Sequence, residues 1–265
     1  MVQDLPPIMG FARRVDPDRF FATLFAPPAK RDALCVLIAF NHELARAREA
    51  ASHPMAALIR LQWWRDALEE AASGQPPRRH EVAEPLHALI RAGTLSAAEL
   101  TALVDAREAE VAEEGIPTEP ALQAYLRAGA GGLAVAMGRV LGVPGAALPG
   151  VQALGAGYGL AGVLRSVAAH AAQGRCLLPL DALAAHGLSP EAVIADPTAA
   201  APVVQALARA GLAALPRARV PSAAALPGVL ARRDLARLAA GQAVPVPRGF
   251  GDRLAMVWAG LRGRG

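Results

Sequence analysis

The chain reads as all-α, a single bundle of helices, and three observations predict it. Hydrophobic residues make up 54% of the 265 and aromatics only 4%. Alanine and leucine dominate the apolar set, a balance that favours helices over sheets. The 22 prolines and 25 glycines gather in clusters such as Gly74 to Pro77, Gly115 to Pro120 and Val143 to Gly150, where they separate helices. Between these clusters apolar residues recur at steps of three and four. A chain of this length buries a sizeable core, and one domain accounts for it.

Pro27 and Pro28 start the first strong element. Its apolar positions Leu34, Val36, Leu37, Ile38, Phe40 and Leu44 are too dense for a surface strand and predict a largely buried helix from Asp32 to Arg48. A second helix is predicted from about Met55 to Ala72, with Leu58, Leu61, Trp64 and Leu68 on one face and Ser73, Gly74 and the Pro76-Pro77 pair as its stop. Ser96 followed by Glu99 has the form of a capping box and opens a helix through about Glu114. Pro120 opens another to about Leu141, and a further one runs from about Pro149 to Ala172. The uncharged stretch Val140 to Leu164 is long enough to cross a bilayer, yet Pro144, Pro149 and Gln152 interrupt it, so two core helices meeting at a turn are expected there. Gly174 closes the last of these, and Arg175 to Pro179 reads as an extended exit passing back over the bundle. Ser189-Pro190, Asp196-Pro197, Pro202, Pro221 and Pro227 divide the remainder into shorter helices. The alanine-rich C-terminal third carries the least information.

The net charge of +4 suits a surface that meets anionic headgroups or diphosphates. Without a lysine or arginine run or aromatic–basic interleaving, no nucleic acid is expected as a partner. Cys35 and Cys176 lack metal-binding spacing and read as isolated thiols. Met1 to Gly10 lacks the features of a secretory signal, so the expected location is the cytoplasm, with peripheral contact at the inner face of the plasma membrane compatible with the basic surface.

Two helical stretches combine apolar density with a few polar residues. Ala39 to Glu49 carries Asn41, His42 and Glu43, and Tyr158 to His170 carries Arg165, Ser166 and His170. Asn41 and Glu43 point to a shared polar network, facing a ligand or closed on itself. Arg165 either reaches a phosphate or pairs with Glu43 or Asp105, and His170 either bonds a polar ligand or is satisfied by neighbours. Asp105, Arg107 and Glu108 form an inner polar patch or a solvated face, and Tyr158 is core or cavity wall. Trp63 and Trp64 cannot both face inward from one helix, so one is core and the other is either an ordinary outer residue or a mark of a partner surface.

In order and separation, these stretches resemble the two signature regions of squalene and phytoene synthases. Asp18-Arg19-Phe20-Phe21 ahead of Leu24 to Pro27 resembles the family's N-terminal substrate-side segment. Leu164-Arg165 and Gly174-Arg175 to Leu177-Leu178-Pro179 resemble the end of its second signature. The resemblance covers residues 16–240, leaving 1–15 as an N-terminal extension and 241–265 as a C-terminal helix and tail. It implies an isoprenoid-synthase-like helical bundle around a central cavity. In active members the signatures end in DDxxD-like and DxxED motifs, whose carboxylates share one helical face and hold Mg²⁺ against a diphosphate. Here the first motif falls on Ala45-Arg46-Ala47-Arg48-Glu49 and the second on Ser166-Val167-Ala168-Ala169-His170. Ala45 and Arg46 thus replace the leading aspartates and Glu49 alone stays acidic, while Ser166, Ala169 and His170 replace every carboxylate of the second. Gly162 stands where many active relatives carry asparagine. Magnesium ions held by Glu49 alone, beside Arg46 and Arg48, would leave several charges uncompensated in a low-dielectric cavity. The expectation is therefore no bound metal and no cofactor.

The departures at Asn41 to Leu44, Gln62 to Trp64, Asp105 to Glu108 and Leu164 to His170 resemble a non-catalytic branch of the family, the one that includes respiratory complex I assembly factor 6 of mitochondria. That resemblance implies partner binding, with NADH dehydrogenase subunits or assembly intermediates as the partners. Two other functions stay open on the residues. One is a prenyltransferase of the squalene/phytoene synthase type that holds Mg²⁺ through unorthodox ligands such as Glu49, Asp105, Glu108 and His170. The other is a metal-independent site where Arg46, Arg165 and His170 hold an isoprenoid or phosphorylated lipid.

Overall fold

The computed structural model describes residues 7–49, 53–111, 115–216, 222–245 and 247–262, and among them there are helices, turns and no strand. Helix α3 (Pro28–Glu49) is the axis of the bundle. Leu34, Cys35, Leu37, Ala39 and Phe40 are all fully buried, as the apolar density around its circumference predicts. Burial pushes the Cys35 thiol up to about 11. Helix α1 (Pro7–Val15) lies along α3 and buries Ala12, so the expected N-terminal extension ends in a packed helix. Helix α2 (Pro17–Thr23) is capped by Asp16, whose carboxylate accepts the Arg19 N–H at 2.9 Å.

Helix α4 (Pro54–Ser73) starts with proline in its first turn and stops at Gly74 in the left-handed region, φ 80°. From it Trp64 packs edge-on against Phe40 at 5.1 Å. After α5 (Ala83–Arg91), the Ser96 hydroxyl caps α6 (Ala97–Ala106) by accepting the Glu99 N–H. The Glu99 carboxylate turns to Arg139 at 2.7 Å instead of completing the box. The predicted continuation to Glu114 differs: α6 stops at Ala106 and tightens into a 3-10 turn over Arg107–Glu110, while residues 112–114 lie outside the described ones. A 3-10 turn eclipses positions i and i+3, which stacks Arg107 on Glu110 with 2.5 Å between Nη1 and Oε1.

The helix predicted from Pro120 to Leu141 is two, α7 (Glu119–Leu126) and α8 (Gly132–Leu141), joined by a π turn over Arg127–Gly131. Helix α9 (Leu148–Arg165) crosses this turn at backbone distance. A Cβ at Gly155 would lie 2.5 Å from the Ala134 Cβ and 2.7 Å from the Ala130 carbonyl oxygen. Gly155→Ala is therefore expected to cost about 1–3 kcal/mol by overpacking, read as a lower urea midpoint with an unchanged slope. Gly145–Arg165 is apolar and long enough to cross a membrane, but 56% of its most apolar window is buried in the bundle. It meets α8 at Gly142, φ 78°.

Where one helix to Ala172 is predicted, the chain breaks at Ser166, whose N–H bonds Val163 O at 3.2 Å, and restarts as α10 (Val167–Ala171). The non-helical exit after Gly174 then runs past the segment before α7, with Leu180 N–H donating to Ile116 O at 2.9 Å. Helices α11 (Leu180–Ala184), α12 (Pro190–Ala195), α13 (Ala201–Ala214), α14 (Pro227–Ala239) and α15 (Phe250–Leu261) complete the chain. Helices α13 and α14 pack on α9, and α15 packs on α14. Buried Asp252 and Met256 tie α15 into the domain, where the sequence predicts only a terminal helix and tail.

Candidate binding cavity

A cavity of about 750 Å³ opens between α2, α9, α14, α15 and the 3-10 turn after α6. Phe20, Phe21, Val163, Leu230 and Met256 give it apolar walls, and Gly129, Ala130, Gly159 and Gly162 form a side-chain-poor floor. A Cβ at Gly162 would meet nothing within 4 Å, so the place of the family's asparagine is open space.

One side of the cavity is an ion network centred on Asp234, a fully buried carboxylate on α14. It accepts from Arg248 Nη1 at 2.5 Å, Arg165 Nη1 at 3.2 Å and Arg237 Nη1 at 3.4 Å. Arg248 also donates from Nε to Asp18 at 2.9 Å, and Asp18 accepts the Tyr158 hydroxyl at 3.0 Å. Asp252 is held by Arg237 at 2.7 Å and by Arg233 at 2.6 Å. The guanidinium groups of Arg19 and Arg165 lie 4.7 and 5.5 Å from the centre of the Tyr158 ring, within cation–π range. Burial holds the Tyr158 hydroxyl far above its ordinary range. Burial also disfavours the charge on Arg248, but Asp234 and Asp18 more than offset it and keep the group protonated. Arg248 Nη2 is buried with no hydrogen-bond partner among the described residues.

A second network closes the other side. Glu110 accepts from Arg107 at 2.5 Å, the Tyr125 hydroxyl at 2.6 Å and Arg175 at 3.3 Å, and Arg107 donates to Asn41 Oδ1 at 2.8 Å. Burial pushes the Glu110 carboxyl up, but the Arg107 charge, the bonds from Tyr125 and Arg107, and the Arg175 charge hold it below the usual carboxylate range.

Of the polar residues singled out from sequence, Asp18, Arg19, Asn41, Arg107, Tyr158 and Arg165 line this cavity. The others lie elsewhere. His42 packs edge-on against Phe11 at 5.7 Å. Glu43 and Arg46, 3.9 Å apart, line a separate cleft of about 250 Å³ with Trp63, Trp64 and His80. Trp64 is core, whereas Trp63 is half-buried beneath Arg78, 5.0 Å from its ring centre. Asp105 and Glu108 are exposed and both pair with Arg65. The solvated-face reading of that run thus holds for these two acids, while Arg107 between them points inward. Arg165 takes Asp234 as its partner, not Glu43 or Asp105. Ala45, Ser166 and His170 are half-buried and Ala169 is exposed, all away from the cavity wall, and the Glu49 side chain lies outside the described residues. Burial and the Arg175 charge lower the His170 pKa, which keeps the imidazole neutral near pH 7.

These placements bear on magnesium. Asp18, Asp234 and Asp252 already pair with arginines, and among the described residues no group of three or more His, Cys, Asp or Glu side chains could hold a metal ion. Magnesium needs several free hard oxygens in near-octahedral array, and the carboxylates of the described residues at this cavity, each already paired, do not fit it. Of Arg46, Arg165 and His170, the suggested cationic trio, only Arg165 faces the cavity.

Asp234, Arg237, Arg248, Asp252, Glu110 and Tyr125 were not singled out from sequence. One signal was available: Asp234 sits four residues from Leu230 and four from Leu238, on the inward stripe of its helix.

Known proteins agree with this architecture. A dehydrosqualene synthase solved with a ligand superposes with a TM-score of 0.77 over 96% of this chain and 94% of its own, at 12% identity. Squalene synthase HpnC from Alicyclobacillus acidocaldarius superposes with a TM-score of 0.65 over 97% and 92%, at 15% identity. At such identities the likeness is one of fold. In sequence the chain is similar to NADH dehydrogenase (ubiquinone) complex I, assembly factor 6, of Mus musculus, at 27% identity over 180 residues, 68% of this chain and 54% of that protein. The Homo sapiens protein matches over the same shares at 26%. The chain thus spans about half the length of these curated relatives. The squalene/phytoene synthase profile matches residues 12–256, from within α1 to within α15, and on that extent the chain belongs to the squalene/phytoene synthase family.

Proposed function

We propose that this chain is a non-catalytic member of its family that assists assembly of respiratory NADH dehydrogenase, binding subunits or assembly intermediates at the cytoplasmic face of the plasma membrane. The observation that carries the reading is the pairing of sequence similarity to complex I assembly factors with a cavity whose aspartates are taken up by arginines. Its surroundings suit a fixed scaffold better than metal-assisted departure of a diphosphate. Deletion of the gene tests this, with native gels for the assembled dehydrogenase and extraction of isoprenoid products. The expected result is a several-fold loss of assembled complex with isoprenoids unchanged. Loss of isoprenoids with the complex intact would overturn it, as would sustained Mg²⁺-dependent diphosphate release from farnesyl or geranylgeranyl diphosphate by the purified protein.

One observation favours a second reading, metal-independent binding of an isoprenoid or phosphorylated lipid in the cavity. Six arginines against three aspartates line it, and the buried Arg248 Nη2 lacks a partner among the described residues. A guanidinium offers a phosphate paired donors without a bridging cation. Titration with farnesyl diphosphate is expected to give the same affinity with and without chelator. Strict dependence on Mg²⁺ would count against this reading.

A further inference from the structure

Helix α15 has two unlike faces. Asp252 and Met256 point into the domain and line the cavity, and Gly260 sits against the Phe25 ring. The opposite face carries Phe250, Leu254, Trp258 and Leu261, which are 81%, 53%, 57% and 75% exposed. Steps of four, four and three set these side chains in one stripe along the helix. No other helix among the described residues exposes so many large apolar groups in line. Isolated exposed apolar residues are ordinary, whereas a contiguous stripe marks a surface that is covered in use.

The charges beside the stripe identify the cover. Arg253 and Arg262 are exposed, and the Arg262 guanidinium lies 3.8 Å from the centre of the Trp258 ring. The acid of this helix, Asp252, is buried and neutralised by Arg233 and Arg237, so the outward face shows cations alone. Arg13 is also exposed and lines the same cavity as Arg253. Apolar and aromatic side chains in a stripe, edged by arginine and free of exposed acid, match the acyl–headgroup boundary of an anionic bilayer. We propose that α15 lies in the plane of an anionic phospholipid membrane, with Phe250, Leu254, Trp258 and Leu261 sunk among the acyl chains and Arg253 and Arg262 at the headgroups. This stands apart from the assembly role and holds whether or not the cavity takes a ligand.

The test is sedimentation of the full chain with phosphatidylcholine vesicles, with and without phosphatidylglycerol. Binding is expected with phosphatidylglycerol and about tenfold or more weaker without it, given two or more arginines near the surface. Leu254→Gln with Trp258→Gln is expected to lower binding by a similar factor at an unchanged melting temperature, since both side chains are largely exposed. Trp258→Leu keeps the apolar stripe and guards against misfolding of the double variant. With brominated acyl chains, wild-type tryptophan emission is quenched, and Trp258→Leu removes that quenching while still sedimenting. Equal binding to neutral vesicles would overturn the proposal, as would binding indifferent to the double variant or quenching that survives Trp258→Leu. Absence of vesicle binding, with the stripe instead mediating self-association that the double variant dissolves, would also overturn it and assign the face to a second copy of the chain.

Discussion

Replacing Asp234 by alanine is expected to lower the stability of the fold by about 3–5 kcal/mol, the range for removing one partner of a buried ion cluster. The carboxylate has no exposed surface and is shared by Arg165, Arg237 and Arg248. Of these, Arg237 keeps Asp252 and Arg248 keeps Asp18, while Arg165 has no other acid within ion-pair distance among the described residues. Uncompensated charge held in a low-dielectric setting costs more than the original pair contributes. Urea unfolding read by far-UV circular dichroism checks the magnitude. Asp234→Ala combined with Arg165→Met is expected to recover part of the loss, because the second change removes the stranded charge. Asp105→Ala is the contrast, an exposed acid on Arg65, where a change of about 1 kcal/mol or less is expected. Equal losses at Asp105 and Asp234 would refute the account of the network.

The long helices were legible because burial writes itself into apolar spacing. Helix α3 is apolar nearly all round and α4 carries Leu61, Trp64 and Leu68 at regular steps; proline starts and the Gly74 stop fix their ends. The interruptions were not legible. The 3-10 turn at Arg107–Glu110, the π turn at Arg127–Gly131 and the break at Ser166 each shift the hydrogen-bond register by about one residue, which leaves the pattern of apolar residues almost unchanged. Yet the first of these shifts stacks Arg107 on Glu110 and so builds one side of the cavity.

The cavity was half legible for a related reason. Asn41, Tyr158 and Arg165 stand out as polar groups on apolar helices. Their partners come from far along the chain: Asp234 is 69 residues from Arg165, and Arg248 is 230 from Asp18. Read locally, Arg232-Arg233-Asp234 followed by Arg237 is what a solvated helical face also looks like. Only contact with α9 and α15 makes Asp234 an interior charge. The same long-range pairing gives the missing metal ligands their physical sense. Carboxylates that persist in the cavity are paired with guanidinium groups of the chain itself, so their negative charge is met without divalent cations.

Removing the charge at Glu110 is expected to change both stability and its pH dependence. Above the ordinary carboxylate value of 4.5 the group is ionised in the folded and unfolded chain alike. Folding then gains its ion pairs with Arg107 and Arg175 and its bond from Tyr125. Its folded pKa lies below 4.5, so the folded chain binds this proton less readily than the unfolded one. The contribution is thus fully present above 4.5 and is lost as pH falls through the depressed value. Glu110→Ala strands two largely buried guanidinium groups and is expected to cost about 3–5 kcal/mol at neutral pH. Glu110→Gln can still accept from Tyr125 and is expected to cost less. Urea unfolding from neutral pH to below the carboxylate range separates charge from packing. The wild-type and Glu110→Gln stabilities should converge as pH drops, because protonation makes the native side chain a neutral acceptor like the amide. Curves that stay parallel would mean that the glutamate contributes shape alone, and the 3-10 turn that stacks Arg107 above it would then need another cause.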